Sequence, residues 1–452
     1  MKCNDARIGD VASFRKVSIK PDAGTIYHCY SLPAFDNARK PEVLDGSEIL
    51  SNKLHIENGD ILVNKLNMRF KRIWPVDSLQ ANSVCSTEFV PLCHNEKVDR
   101  DYLLYTLMSD DFTNALSGMR TGTSGSHQRV KPEWILDYKF PLPSIERQRR
   151  IGSFLSSLDQ KIAINTKLNG YLEELLLAKY DKLFPVNADF TGILSDVGTI
   201  IGGATPSKKR SEYYCSNGIG WITPRDLSNT SDKFIAHGTD DITYEGYASC
   251  SAKLLPKGSV LFSSRAPIGY IAIAADAVAT NQGFKSIVPK EEIGTAFVYC
   301  FLVRNKQRIA DMGAGTTFPE VSGKMMKSVE LAIPEQTLCA EFDFFAGPIL
   351  KQQEALEREN RELAALRDAL LPKLMSGEID VSQVDLTQIN SHLAKSLRQF
   401  GRHDSPQKNG AARTPASCPV ALTFKSQRQP TPLPYFPNSA PSRPRRLGFS
   451  SR

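Results

Sequence analysis

Phe140-Pro141-Leu142-Pro143 and Leu331-Ala332-Ile333-Pro334 stand 191 residues apart, and each opens a long helical pattern. The first pattern ends near Phe184 and the second near Met375. The offset holds without a gap from Val130/Val321 through Asn169/Asn360 and Leu172/Leu363 to Ala178/Ala369. A repeat of this length dictates architecture. Two copies of a globular unit, each followed by a rod, make a pseudo-symmetric molecule, which suits a target that is itself two half-sites.

The first rod carries Ile151, Leu155, Leu158, Ile162, Asn165, Asn169, Leu172 and Leu176 in alternating threes and fours. That spacing is a coiled-coil seam, with Asn at two seam positions fixing register at a cost in stability. Ile349, Leu356, Asn360, Leu363 and Leu370 mark the second seam, with Leu366 beside it. Gly377 reads as its C-cap. Roughly 35 residues at about 1.5 Å rise give a rod on the order of 50 Å.

The repeat extends upstream. Ile193-Leu194-Ser195-Asp196-Val197 matches Arg7-Ile8-Gly9-Asp10-Val11, and Lys257–Phe262 matches Asn58–Val63. Ala279-Thr280-Asn281-Gln282 falls opposite Gln80-Ala81-Asn82-Ser83. The offset drifts from 186 to 199 and returns to 191, so loops differ in length on a shared scaffold. Asn58-Gly59-Asp60 before Ile61-Leu62-Val63 is a turn leading into a strand, and Tyr102 to Leu116 reads as one amphipathic helix. The expected division is a first globular unit at 1–143, a rod at 144–185, a second unit at 186–334, a second rod with its cap at 335–386, and a Pro/Arg-rich disordered tail at 387–452. A basic arm touching DNA is the alternative for the tail.

No apolar run approaches the roughly 18 to 20 residues that span a bilayer, and the N-terminus lacks a signal-peptide core. Nine cysteines, none in a CxxC pair, suggest reduced thiols of a cytoplasmic protein. The net charge of +7 misleads, because residues 395–452 hold eleven Lys/Arg and one acid, Asp404. The remaining chain is left at −3. Any DNA affinity must then come from local basic patches or from a partner. Motifs for ATP, metal-dependent proteolysis or serine hydrolysis are absent: there is no GxxxxGK[ST], HExxH or GxSxG. No Asn-Pro-Pro-Tyr or Asp-Pro-Pro-Phe methyltransferase loop occurs, and no metal or other cofactor is expected.

Candidate contacts cluster in loops. Lys65, Arg69, Lys71 and Arg72 surround Phe70 and precede Trp74, as a DNA-facing edge or as a basic strand end. Lys208, Lys209 and Arg210 follow a Gly/Pro turn, where they either touch phosphates or form a solvated charge run. The Gly/Ser/Thr loops with Arg120, Ser124, His127 and Arg129, and with Thr316 and Thr317, occupy matching positions. Small hydroxyl residues there can approach phosphates or base edges closely; simple connecting turns are the alternative. Arg265, Asn281 and Gln282 complete the set. Asn281 and Gln282 serve either base reading or framework, and Trp221, Pro224 and Asp226 read as framework.

Several segments together resemble the specificity subunit of type I restriction–modification enzymes. They are Gly202-Gly203-Ala204-Thr205-Pro206-Ser207, Gly220–Leu227, Gly258–Arg265, Ala279–Phe284, Phe140–Pro143 with Leu158–Ile162, and Leu370–Ile379. The resemblance covers about residues 5–385. The first unit lacks the Gly-Gly-x-Thr-Pro segment, and Leu66-Asn67-Met68-Arg69 replaces the Arg-Ala-Pro-Ile-Gly turn at 265–269. The resemblance implies an α+β fold: two mixed α/β target recognition domains in pseudo-twofold arrangement, separated by two long helices as an antiparallel coiled coil. It implies a non-catalytic subunit that binds double-stranded DNA at a split, asymmetric site with an unread spacer. It further implies recruitment of two methylation and two restriction subunits. A free-standing coiled-coil DNA-binding scaffold is the alternative.

Overall fold

The computed structural model describes residues 4–37, 39–119, 129–185, 189–313 and 319–380. Its axis is a pair of helices, Ile145–Leu183 and Gln336–Ser376. Gly377 ends the second in a left-handed conformation, φ 81°. The pair is antiparallel. Asp159 near the start of the first helix meets Arg367 near the end of the second, and Lys179 reaches Glu341 at 2.6 Å. Asn169 Nδ2 donates to Glu357 Oε1 at 3.0 Å, and Asn360 Nδ2 donates to Thr166 Oγ1 at 3.3 Å. Asn169 and Asn360 are repeat equivalents, and so are Thr166 and Glu357. A contact accompanied by its own counterpart is the signature of a twofold axis, which here passes through the middle of the pair.

The large apolar cores lie towards the two ends of the seam. Ile151, Leu155 and Leu158 join Leu371 and Leu374 in one core, with Leu363 and Leu370 partly buried against it. Leu176 and Tyr180 join Phe342, Ala346 and Ile349 in the other, with Leu172 partly buried against it. Leu356 is buried and Ile162 half-buried. Ile162, Leu172, Leu363 and Leu370 are therefore flanking rather than fully core residues. Leu158 and Ile349, matched in the repeat, lie in different cores, because antiparallel packing sends equivalent residues to opposite ends. Between the cores the seam is mainly polar, with Asn165, Gln353 and Glu357 buried beside Leu356.

In the first unit, strand Asn4–Arg7 pairs antiparallel with Lys139–Leu142. A four-stranded antiparallel sheet runs Ala12–Phe14, Phe89–His94, Ile61–Asn64, Ile73–Pro75. A second, five-stranded sheet has Ile26–Tyr30 parallel to Ser83–Ser86 at its centre. The single helix expected over Tyr102–Leu116 is two, Arg100–Met108 and Asp110–Gly118. Ser109 divides them, its side chain accepting the Phe112 N–H as a cap.

The second unit repeats the scheme. Gly192–Ile193 pairs with Glu330–Leu331, and a five-stranded sheet runs Gly198–Gly202, Lys285–Pro289, Val260–Ser264, Ile268–Ala274, Phe234–Ile235. Gly220–Ile222 lies parallel to Val278–Thr280. Pairing of Trp221 with Ala279, and of Cys29 with Val84, corrects one sequence match. Ala279 corresponds to Val84 rather than to Gln80, because hydrogen-bond register outweighs local residue identity in fixing equivalence. The seven described cysteines are all free.

Candidate nucleic-acid interface

In both units a buried side chain at a strand end ties off a loop. Asn64, fully buried, donates from Nδ2 to Leu66 O at 2.8 Å and accepts the Arg72 N–H at Oδ1 at 3.2 Å. Ser263, 199 residues later and equally buried, donates to Pro267 O at 2.8 Å and accepts the Tyr270 N–H at 2.7 Å. The neighbouring backbone is matched as well. Lys65 N–H bonds Glu88 O and Val130 N–H bonds Lys65 O, both at 2.9 Å. Ser264 N–H bonds Gly283 O at 2.7 Å and Val321 N–H bonds Ser264 O at 3.0 Å. Val130 and Val321, the residues bonded to the two tied strand ends, follow the two Gly/Ser/Thr segments in sequence. Arg120, Ser124, His127, Thr316 and Thr317 lie outside the described residues, as does the tail.

The charges on this common frame differ. In the first unit Arg69 and Arg72 place their guanidinium groups over the half-exposed Phe70 ring, at 5.1 and 5.2 Å. Arg72 also forks onto Asp36 with two bonds of 2.7 Å, and Lys71 reaches Asp110. Arg129 forks onto Glu88 at 2.7 and 3.2 Å. In the second unit the position equivalent to Arg129 is Glu320, which holds Arg265 at 3.4 Å and Lys285 at 3.3 Å. One framework position thus carries opposite signs in the two units. Glu320 and Lys285 were not singled out by sequence. The 191-residue offset from Arg129 and a lysine opening the apolar strand Lys285–Pro289 were the available signals.

The remaining candidates converge in the second unit. Gly203 passes so close to the backbone that an added Cβ would sit 2.1 Å from Thr280 O and 2.2 Å from Asn281 O. Glycine is therefore required by contact rather than by conformation. Ala204 N–H bonds Thr280 O at 2.9 Å, and Trp221 Nε1 donates to Ala204 O at 3.0 Å. Thr205 Oγ1 bonds the exposed Gln282 side chain. The exposed turn with Lys208, Lys209 and Arg210 follows, with Arg210 over the Tyr213 ring at 5.5 Å. Lys208 lines a groove with Arg225, Asn229 and Asp240. Asn281 Oδ1 accepts the Gly283 N–H at 2.8 Å, so this side chain shapes its own loop. Asp226, buried, opposes its desolvation with four hydrogen bonds from Thr223 and Thr239, and its carboxyl is held below the usual range. Trp221 and Asp226 are thus built into the framework.

Among the described residues there is no metal-binding group of side chains, and no helix long and apolar enough to cross a membrane. Two unlike copies of one loop-bearing frame on antiparallel helices describe a bipartite recognition protein. The chain belongs to the family of the type I restriction modification DNA specificity domain, whose model matches residues 3–174 and again 191–342. It is similar to the MjaIX specificity subunit of Methanocaldococcus jannaschii, 40% identical over 180 residues, 38% of this chain and 41% of that one. It is also similar to the HindI specificity subunit of Haemophilus influenzae, 24% identical over 406 residues, 72% of this chain and 88% of that one. The chain thus spans less than half the length of the first relative and most of the second. The crystal structure of the type I restriction-modification system S subunit from M. genitalium shares the fold, with TM-score 0.54, 15% identity, and coverage of 83% of this chain and 96% of that chain. Family membership makes this a recognition subunit rather than an enzyme, and leaves the free-standing scaffold without support.

Proposed function

We propose that this chain reads a split, asymmetric double-stranded DNA site in the cytoplasm on behalf of a type I restriction–modification complex. Residues 1–143 read one half and residues 186–334 the other, while the paired helices hold an unread spacer between them. Two methylation subunits and two restriction subunits complete the complex. The observation that carries this reading is the pair of equivalent but differently charged loop frames, related by the axis through the helix pair. A twofold relation offers both frames to the two strands of a duplex in inverted orientation. Their unlike charges demand unlike half-sites. Lys65, Arg69 and Arg129 in one unit, and Lys208, Lys209, Arg265 and Gln282 in the other, are the proposed contacts.

Methylome sequencing of the host with and without the gene tests this reading. The expected result is one split motif with a fixed spacer that disappears on deletion. A continuous motif, or an unchanged methylome, would sink it.

A further inference from the structure

Lys233 is a lysine only 8% exposed, at the polar centre of the molecule. It precedes strand Phe234–Ile235 of the second unit and points into the helix pair. Its Nζ bonds Glu173 of the first long helix and Gln353 Oε1 of the second, the latter at 2.7 Å. It lies over the Tyr299 ring at 4.5 Å, and Tyr299 in turn donates to Glu173 at 2.8 Å. The backbone N–H groups of Lys233 and Phe234 donate to the two Glu357 carboxylate oxygens at 2.9 and 3.0 Å. Three separate bodies, both helices and the second recognition unit, therefore meet on one side chain and its amide.

Among the described residues the twofold axis does not repeat this knot residue for residue. The repeat equivalents of Glu173, Gln353 and Glu357 are Ala364, Ile162 and Thr166, which offer no carboxylate. A buried ion pair adds little net stability, because desolvation offsets the attraction. It does forbid sliding: apolar surfaces tolerate a shift of register, whereas a displaced buried charge loses its partners. We propose that Lys233 is a positioning residue, locking the second recognition unit to both helices so that the two half-sites are held at a single separation. This inference rests on the reading of the chain as a split-site recognition subunit.

The test is methylome sequencing of cells carrying the complete system with either the wild-type chain or Lys233→Met. The half-sites are expected to stay the same. The methylated fraction at sites whose spacer is one base pair off is expected to rise at least about tenfold, the change that about 1.4 kcal/mol of lost discrimination produces. Should Lys233→Met fail to accumulate, the Glu173→Gln/Lys233→Met double variant removes both charges together and reads the same quantity. A soluble variant that methylates only the parental spacer overturns the inference. A wild-type complex leaving no split motif breaks the underlying reading instead, so the two failures are distinguishable.

Discussion

Asn67 and Ala266 occupy the same left-handed backbone conformation, φ 58° and 55°, at positions 199 residues apart in the two tied loops. The frame therefore imposes the conformation, and each copy answers it with a different residue. Asparagine tolerates this region, whereas alanine incurs a steric cost of roughly 1–2 kcal/mol. Asn67→Ala is expected to destabilise by about 1 kcal/mol. Ala266→Gly is expected to stabilise by up to about 1 kcal/mol, part of the gain being offset by unfolded-state entropy. Urea midpoints measure both, and two changes of the same sign would refute the matched-loop account.

The sign reversal between Arg129 and Glu320 predicts opposite responses to neutralisation. Glu320→Gln releases Arg265 and Lys285 from a shared carboxylate. The variant should bind duplex DNA more tightly, with a salt dependence steeper by about one unit of slope. Arg129→Gln should weaken binding and flatten the dependence by a similar amount. Fluorescence anisotropy across a salt series reads both. Equal slopes in wild type and variants would remove these residues from the interface.

Spacer length should follow rod length. Lys167 and Arg358 are repeat equivalents beside the axis, so four residues inserted after each lengthen both helices alike. One added turn, about 6 Å, should widen the spacer by one or two base pairs at roughly 3.4 Å each. The half-sites should not change. A methylome with altered half-sites and the parental spacer would show that the helices do not measure the site.

Burial raises the Glu357 carboxyl above the ordinary glutamate range, although the amides of Lys233 and Phe234 pull the other way. A carboxyl raised in the folded state contributes stability that is complete below its unfolded value and is lost as pH rises through the folded one. Glu357→Gln lacks this titration. The stability advantage of wild type over the variant should therefore shrink from pH 5 towards pH 8. A gap in urea midpoints that widens over that range would contradict the assignment.

The rods were readable because Leu158, Leu172 and Leu363 recur at helical spacing, a signal that survives without tertiary knowledge. The polar knot was not, since Glu173, Gln353 and Glu357 look like ordinary solvated positions until an antiparallel partner covers them. The basic residues could be found but not their state. Asp36, Asp110 and Glu88, the partners of Arg72, Lys71 and Arg129, lie 36, 39 and 41 residues away in sequence. Equivalence between copies was misjudged at Ala279, where insertions moved the offset and only the parallel pairing with Trp221 restores it.

Because Leu371 and Leu374 complete the core that begins with Ile8 and Leu158, the first half of the chain is born unfinished. On a ribosome adding roughly 5–20 residues per second, the closing leucines follow Leu158 by on the order of ten to forty seconds. During that interval Ile151, Leu155 and Leu158 pack on the first unit but lack the cover that Leu371 and Leu374 supply. The early chain is a ward of its own late synthesis.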